Sequence, residues 1–147
     1  MSMYLPLEDA ETPQTSGPSI RVTYVGQEPE WLPGVADRLA HLLGLGKNWD
    51  SYGAHPVEPD IAAQALRLLH LVMSPETPVP FLVPTPLGGI SMEWHRDDIE
   101  LELRLDPDHS PLASLCRERD DEEMDWYVVS GSAMSALTRA LRNSSNV

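Results

Sequence analysis

Three stretches of the sequence carry apolar residues at helical spacing. The first begins at Gly34 and ends at Gly44 or Gly46. The second opens at Pro59, which the first turn of a helix tolerates, and the third follows Ser130, whose hydroxyl suits a helix cap. The apolar stripes are, in order, Val35, Leu39, Leu42 and Leu43; Ile61, Ala65, Leu68, Leu69 and Val72; and Met134, Leu137 and Leu141.

Between the second and third stretches, apolar and polar residues alternate, which is the spacing of a half-buried strand. Residues 90–94 and 99–105 show this pattern best and predict a hairpin with one apolar face. Because strands follow helices instead of alternating with them, the pattern predicts an α+β fold. We expect an antiparallel β-meander of about four to five strands, packed on one face by two N-terminal helices and one C-terminal helix. Further strands are predicted at 20–25, 81–83, 112–117 and 124–129, the last two joined by an acidic turn at 120–123.

The polar face of the 90–105 hairpin is the part of this pattern that suggests a function. Placing Trp94 opposite Ile99 keeps the apolar residues on one side and sets Glu93 opposite Glu100. Opposed like charges cost stability, so a sheet that keeps them is expected to use them. The same register sets Ser91 opposite Glu102 and places His95 beside Asp98.

Three interpretations of Glu93, His95, Glu100 and Glu102 stay open. In the first, this face docks on a basic surface of a partner protein. In the second, Glu93, His95 and Glu100 ligate zinc or manganese in a hydrolase, although the chain has no compact ligand motif such as HExxH. In the third, the carboxylates are solvated and repel one another only weakly.

The charge and composition of the chain limit the classes of protein to which it can belong. It has 23 acidic and 10 basic residues, a formal net charge of −13, so nucleic-acid phosphates should repel it. No apolar run approaches the roughly 18–20 residues that cross a bilayer, so no membrane contact is expected. Cys116 is the only cysteine and forms no intramolecular disulfide, which favours a cytoplasmic protein. We expect one domain at 20–143, between a disordered tail at 1–19 and a frayed end at 144–147.

A loop between the first two helices carries Trp49, Asp50 and Tyr52 within four residues. In one interpretation it is a recognition loop, with the aromatic rings as rigid contacts and Asp50 as a polar anchor. In the other it is a packed plug: Trp49 and Tyr52 cover the core, and Asp50 holds the turn through hydrogen bonds to nearby backbone. We favour the plug, because buried aromatic side chains dominate small cores.

The segments NWDSYGAHPVEPDIAAQALRLL and PTPLGGISMEWHRDDIELEL carry a resemblance. About residues 46–105 resemble a group of small uncharacterised bacterial proteins with an NWDGYGA-type loop, a helix that opens with proline, and a Gly-Gly hairpin leading into a "LEW" strand. The chain departs from that loop at Ser51, where the group has glycine. The departure puts in doubt any role that needs a positive φ at this position. The resemblance implies no activity.

No GxSxG, CxxC or P-loop pattern is present, and Cys116 stands alone. The leading hypothesis is a non-enzymatic acidic protein-binding module without a cofactor, of bacterial or mobile-element origin. It would be an inhibitor or antitoxin-like protein that acts on a basic nuclease or nucleic-acid-binding protein, through the Trp49–Tyr52 loop and the acidic sheet face. The alternatives are the metal-dependent hydrolase and an oligomerising structural subunit with the aromatic loop at its interface.

Overall fold

The computed structural model describes residues 7–8 and 18–145, and within them the chain forms three helices and a five-stranded antiparallel sheet. The predicted α+β class is therefore confirmed. A separate two-stranded ribbon pairs two short strands near the N-terminus. In chain order the elements are β1 (Leu7–Glu8), β2 (Ser19–Ile20), α1 (Leu32–Leu43), α2 (Pro59–Val72), β3 (Phe81–Pro84), β4 (Ile90–Arg96), β5 (Ile99–Leu105), β6 (Leu112–Arg117), β7 (Glu122–Tyr127) and α3 (Gly131–Ser145).

Strands β3 to β7 lie side by side in the order in which they occur in the chain. The meander is thus confirmed, with five strands. Its alternating residues separate as a pleated strand requires: Met92, Leu101 and Leu103 are buried on one face, and Glu100 and His95 are exposed on the other. The sheet therefore has one face for the core and one for solvent.

The register of the β4–β5 hairpin differs from the prediction by two residues. Trp94 lies opposite Leu101 instead of Ile99. The strands are joined by a turn of Asp97 and Asp98, and Asp97 has a φ of 52°, in the left-handed region that aspartate tolerates. A shift of two residues leaves every side chain on its own face, so alternation does not distinguish the two registers. The observed polar pairs are Glu93 with Glu102, His95 with Glu100, and Ser91 with Arg104, and the predicted pairs Glu93–Glu100 and Ser91–Glu102 are wrong.

The helices pack on the apolar face of the sheet, where α1 contacts β3, α2 contacts β4 and β5, and α3 contacts β5. Each helix contributes fully buried leucines, among them Leu39, Leu69 and Leu137. Helix α1 begins two residues before the predicted start, because Pro33 and Gly34 fit its first turn, where backbone N–H groups have no helical acceptor. Helix α3 is capped as predicted, since the Ser130 hydroxyl accepts the Ala133 N–H at 3.2 Å.

Other boundaries of strands and turns also differ from the prediction. The strand predicted at 20–25 is reduced to Ser19–Ile20, and the acidic turn occupies 118–121, so that Glu122 and Glu123 begin β7. Most of the predicted tail lies outside the described residues, as do 146–147 at the other end, and α3 extends to Ser145. Among the described helices, none has the length and apolar character needed to cross a membrane.

Candidate functional site

The solvent side of the sheet gathers carboxylates from three strands, β4, β5 and β7. Five of them, together with His95, Ser114 and Cys116, line a shallow concavity of ≈ 240 Å³. We call this surface the acidic face. Its carboxylates are those of Glu93, Glu100, Glu102, Glu123 and Asp125. Strand pairing sets them in two adjacent rows: Glu93, Glu102, Ser114 and Asp125 in one, and His95, Glu100, Cys116 and Glu123 in the other.

The first row places two carboxylates in direct opposition. Glu93 and Glu102 are cross-strand partners, and neighbouring strands lie only about 4.8 Å apart. The Ser91 hydroxyl donates a hydrogen bond to Glu102 Oε1 at 2.8 Å, which fixes that side chain without neutralising it. The next cation along β5, Arg104, donates instead to Asp106 Oδ2 at 2.6 Å. The acidic face therefore keeps a concentrated negative charge.

His95 lies between two glutamates of the acidic face. Its Nδ1 is 3.5 Å from Glu100 Oε1, and its Nε2 is 3.8 Å from Glu93 Oε1. The two carboxylates thus approach opposite nitrogens of the ring, whereas a metal ion needs its ligand atoms to converge on one point. In the part of the chain that the structure describes, no three His, Cys, Asp or Glu side chains are placed to hold a metal ion.

Cys116 sits in the second row, between Glu100 and Glu123. Its partial burial raises the pKa of the thiol, and the negative charges of Glu123 and Glu100 raise it further. The thiolate is the nucleophilic form of cysteine, so a raised pKa disfavours nucleophilic chemistry at this side chain. The acidic surroundings of Cys116 therefore do not activate its thiol as a nucleophile.

The Trp49–Tyr52 loop is built by local hydrogen bonds. As predicted, the Asp50 carboxylate holds the turn: its Oδ1 accepts the N–H groups of Tyr52 at 2.8 Å and Ala54 at 3.0 Å. Trp49 is half-buried, and its ring N–H donates to a backbone carbonyl. Tyr52 is 92% exposed, so the plug interpretation is wrong for this residue. Ser51 has a φ of 67°, so the left-handed conformation is kept without glycine.

The segment that follows the loop is anchored to the turn between β3 and β4. The His55 N–H donates to the Pro86 carbonyl at 2.9 Å, and the Glu58 N–H donates to the Gly88 carbonyl at 3.0 Å. These bonds join the segment after the loop to the β3–β4 turn. The structure therefore brings Glu93, His95, Glu100 and Glu102 together, and it does not bring Trp49, Asp50 or Tyr52 into the lining of the acidic face.

A buried polar cluster supports that turn. The Thr85 hydroxyl donates to Asp106 Oδ1 and accepts the Gly89 N–H at 3.0 Å, while Arg104 donates to Asp106 Oδ2. Burial alone would raise the pKa of Asp106, but the hydrogen bonds from Thr85 and Arg104 outweigh it and hold the pKa below its ordinary value of 3.8. Gly89 is required here, because a Cβ would clash with the Leu105 carbonyl oxygen.

Half of the acidic face was not identified from the sequence. Glu123 was predicted to lie in the acidic turn at 120–123 and Asp125 in the strand at 124–129, and neither these residues nor Ser114 and Cys116 were placed beside the hairpin. The alternation of Glu123, Asp125 and Tyr127 with Met124 and Trp126 is the signal that identifies these residues as one face of a strand.

Comparisons of this chain with protein-family models, with curated proteins and with solved structures find no match. The resemblance of residues 46–105 to the NWDGYGA-type group stays a prediction. The geometry of the acidic face therefore carries the functional argument.

Proposed function

We propose that this chain is a non-enzymatic protein-binding module whose acidic face binds a basic surface of a partner protein. The observation that carries the proposal is the convergence of five carboxylates from three strands, β4, β5 and β7, on one shallow concavity. A partner whose basic surface normally holds nucleic acid, such as a nuclease, fits this face best. The chain would then act as an inhibitor or antitoxin-like protein that occupies the nucleic-acid site.

The charge pattern supports a protein partner over nucleic acid. With a formal net charge of −13, the chain repels phosphates and attracts clusters of lysine and arginine. Complementary charge accelerates association and selects the partner, even where it adds modest affinity. The two rows on the acidic face offer several such contacts at once.

The sheet supports the proposal in a second way, because it holds the carboxylates in place before binding. Glu93, Glu102 and Asp125 project from three strands of one hydrogen-bonded sheet, and Ser91 orients Glu102. A surface that is ordered in advance loses less conformational entropy when a partner docks. The opposed glutamates cost folding stability, which a binding function would explain.

The experiment compares two sets of three neutralising substitutions. One set removes charge from the acidic face, with Glu93→Gln, Glu100→Gln and Glu102→Gln. The control set removes the same charge from exposed positions elsewhere, with Glu28→Gln, Glu30→Gln and Asp37→Asn. Tagged wild-type chain captures partners from its own host, mass spectrometry identifies them, and calorimetry with the purified partner measures Kd at 50 and 500 mM NaCl.

We expect the face substitutions to weaken binding by about 10- to 100-fold at low salt, as the loss of three rim charges predicts. The control set should leave Kd nearly unchanged, and high salt should weaken wild-type binding. A partner whose affinity is equal for both sets, or equal at both salt concentrations, would show that the acidic face is not the binding surface.

A further inference from the structure

Among the residues that the structure describes, strand β7 forms an open edge of the sheet. Five of its six residues are exposed, and β6 is the strand beside it in the sheet. The Val128 N–H donates to the Pro111 carbonyl at 2.8 Å, and Trp126 lies opposite Ala113 in the same register. Because hydrogen-bonding direction alternates along a strand, the backbone groups of residues 123, 125 and 127 point away from β6.

The other edge of the sheet is closed. Strand β3 ends in Pro84 and follows Pro80, and proline provides no N–H for strand pairing. In addition, Arg38 of α1 donates from its Nε to the Leu82 carbonyl at 2.9 Å, which covers the edge from the side. Proteins commonly protect edge strands by such means. Proline and a covering helix protect β3, whereas β7 carries neither and presents a run of acidic residues instead.

The charge on β7 selects what can pair with it. Glu123 and Asp125 project onto the acidic face beside the exposed backbone, and Glu122 lies on the opposite face. A second copy pairing in antiparallel fashion would set these carboxylates against their own counterparts, which like-charge repulsion disfavours. Residues 1–17 of the chain hold three acidic and no basic residues, so they are equally unsuited.

We propose that β7 accepts an added strand from the partner: an extended segment with lysine or arginine at alternate positions. This inference rests on the proposed function and specifies how the partner engages the acidic face. Three residues with outward backbone, each with one N–H and one C=O, provide up to six hydrogen bonds for such a strand. Its basic side chains would lie directly across from Glu123 and Asp125, which extends the two carboxylate rows by one complementary strand.

Antiparallel pairing with β7 fixes which residues of the added strand must carry the basic side chains. In an antiparallel pair, residues that exchange hydrogen bonds lie opposite each other with side chains on the same face. The basic residues that face Glu123 and Asp125 must therefore be the ones whose own N–H groups point at β7. Blocking those N–H groups should abolish strand addition, while blocking the alternate ones should not.

The test uses a fluorescein-labelled ten-residue peptide of alternating lysine and threonine, and two derivatives of equal charge. One derivative is N-methylated at every lysine, the other at every threonine. Anisotropy measures Kd for each peptide against the full chain, and NMR measures amide hydrogen exchange at Glu123, Asp125 and Tyr127. An Asp125→Pro variant removes an outward N–H from β7, with Asp125→Asn as the control that keeps it.

We expect lysine N-methylation to weaken binding at least tenfold and threonine N-methylation to have little effect. The unmodified peptide should slow exchange at the three outward amides. Equal Kd values for the two derivatives, without new amide protection, would overturn strand addition, even if Asp125→Pro failed to fold. If binding in that case still fell with the Glu93, Glu100 and Glu102 substitutions, the proposed function would stand without the strand.

Discussion

Replacing Glu102 with glutamine is expected to stabilise the folded chain. Glu102 lies directly opposite Glu93, and its Oε1 accepts a hydrogen bond from the Ser91 hydroxyl. Glutamine has nearly the same shape and keeps a carbonyl oxygen for Ser91, so the substitution removes the charge and retains the hydrogen bond. The free energy of unfolding should therefore rise by the repulsion that is relieved.

The size of this gain follows from the pairing. Two unit charges about 6 Å apart repel by about 0.7 kcal/mol in a water-like dielectric. Direct cross-strand pairs contribute about 0.2–1 kcal/mol. For a chain of this length, such a gain corresponds to a rise in Tm of up to about 3 °C.

Urea unfolding followed by circular dichroism measures the effect, because urea is uncharged and leaves the salt concentration free to vary. The screening length falls from about 30 Å at 0.01 M salt to about 3 Å at 1 M. The Glu102→Gln gain should thus be present at low salt and shrink at high salt. Glu28→Gln, at an exposed position outside the sheet, controls for the general effect of lowering the net charge.

The result that would refute this reasoning is a Glu102→Gln chain no more stable than Glu28→Gln at low salt. A gain that is the same at 0.01 and 1 M salt would also refute it, because the stabilisation would not be electrostatic. Either outcome would mean that solvent already relieves the opposition of Glu93 and Glu102. The stability cost of the acidic face would then no longer support a binding function.

Three further predictions concern the turns that support the sheet. Gly89→Ala should lower the free energy of unfolding by about 3 kcal/mol or more, because its Cβ would meet backbone and the Asp106 carboxylate; chemical denaturation beside Gly34→Ala, which meets nothing, checks this. Ser51→Gly should raise the free energy of unfolding by about 0.5–1 kcal/mol, because it relieves the strain at a φ of 67°; a lowered Tm would contradict it. Because the folded pKa of Asp106 is lowered, its contribution to stability is complete above the ordinary value of 3.8 and lost as pH falls through the folded value. Asp106→Asn should therefore be destabilised at pH 7 and approach wild type below pH 3.8 in urea titrations; a constant difference would contradict this.

The sequence by itself determined the elements whose signals are local. Helix α2 begins at Pro59 as predicted, since proline and an acidic first turn fit only the start of a helix. The alternation of apolar residues in β4 and β5 assigned each side chain to the core or to solvent, because successive side chains of a strand point to opposite faces. Helices covering one face of an antiparallel meander then follow from the order of these elements.

Only the tertiary structure decided which polar residues meet. The alternation is unchanged by a shift of two residues, so the pairing of Glu93 with Glu102 depended on the two-residue turn at Asp97 and Asp98. The approach of Asp125 to the acidic face arises across β6, through two successive strand pairings, β5 with β6 and β6 with β7. The exposure of Tyr52 likewise depends on the space left around its loop, which no local pattern records. Side-chain period is a property of one strand, whereas a surface is a property of several strands in register. The sequence therefore predicted the hairpin's part of the acidic face, and only the fold added the part from β6 and β7.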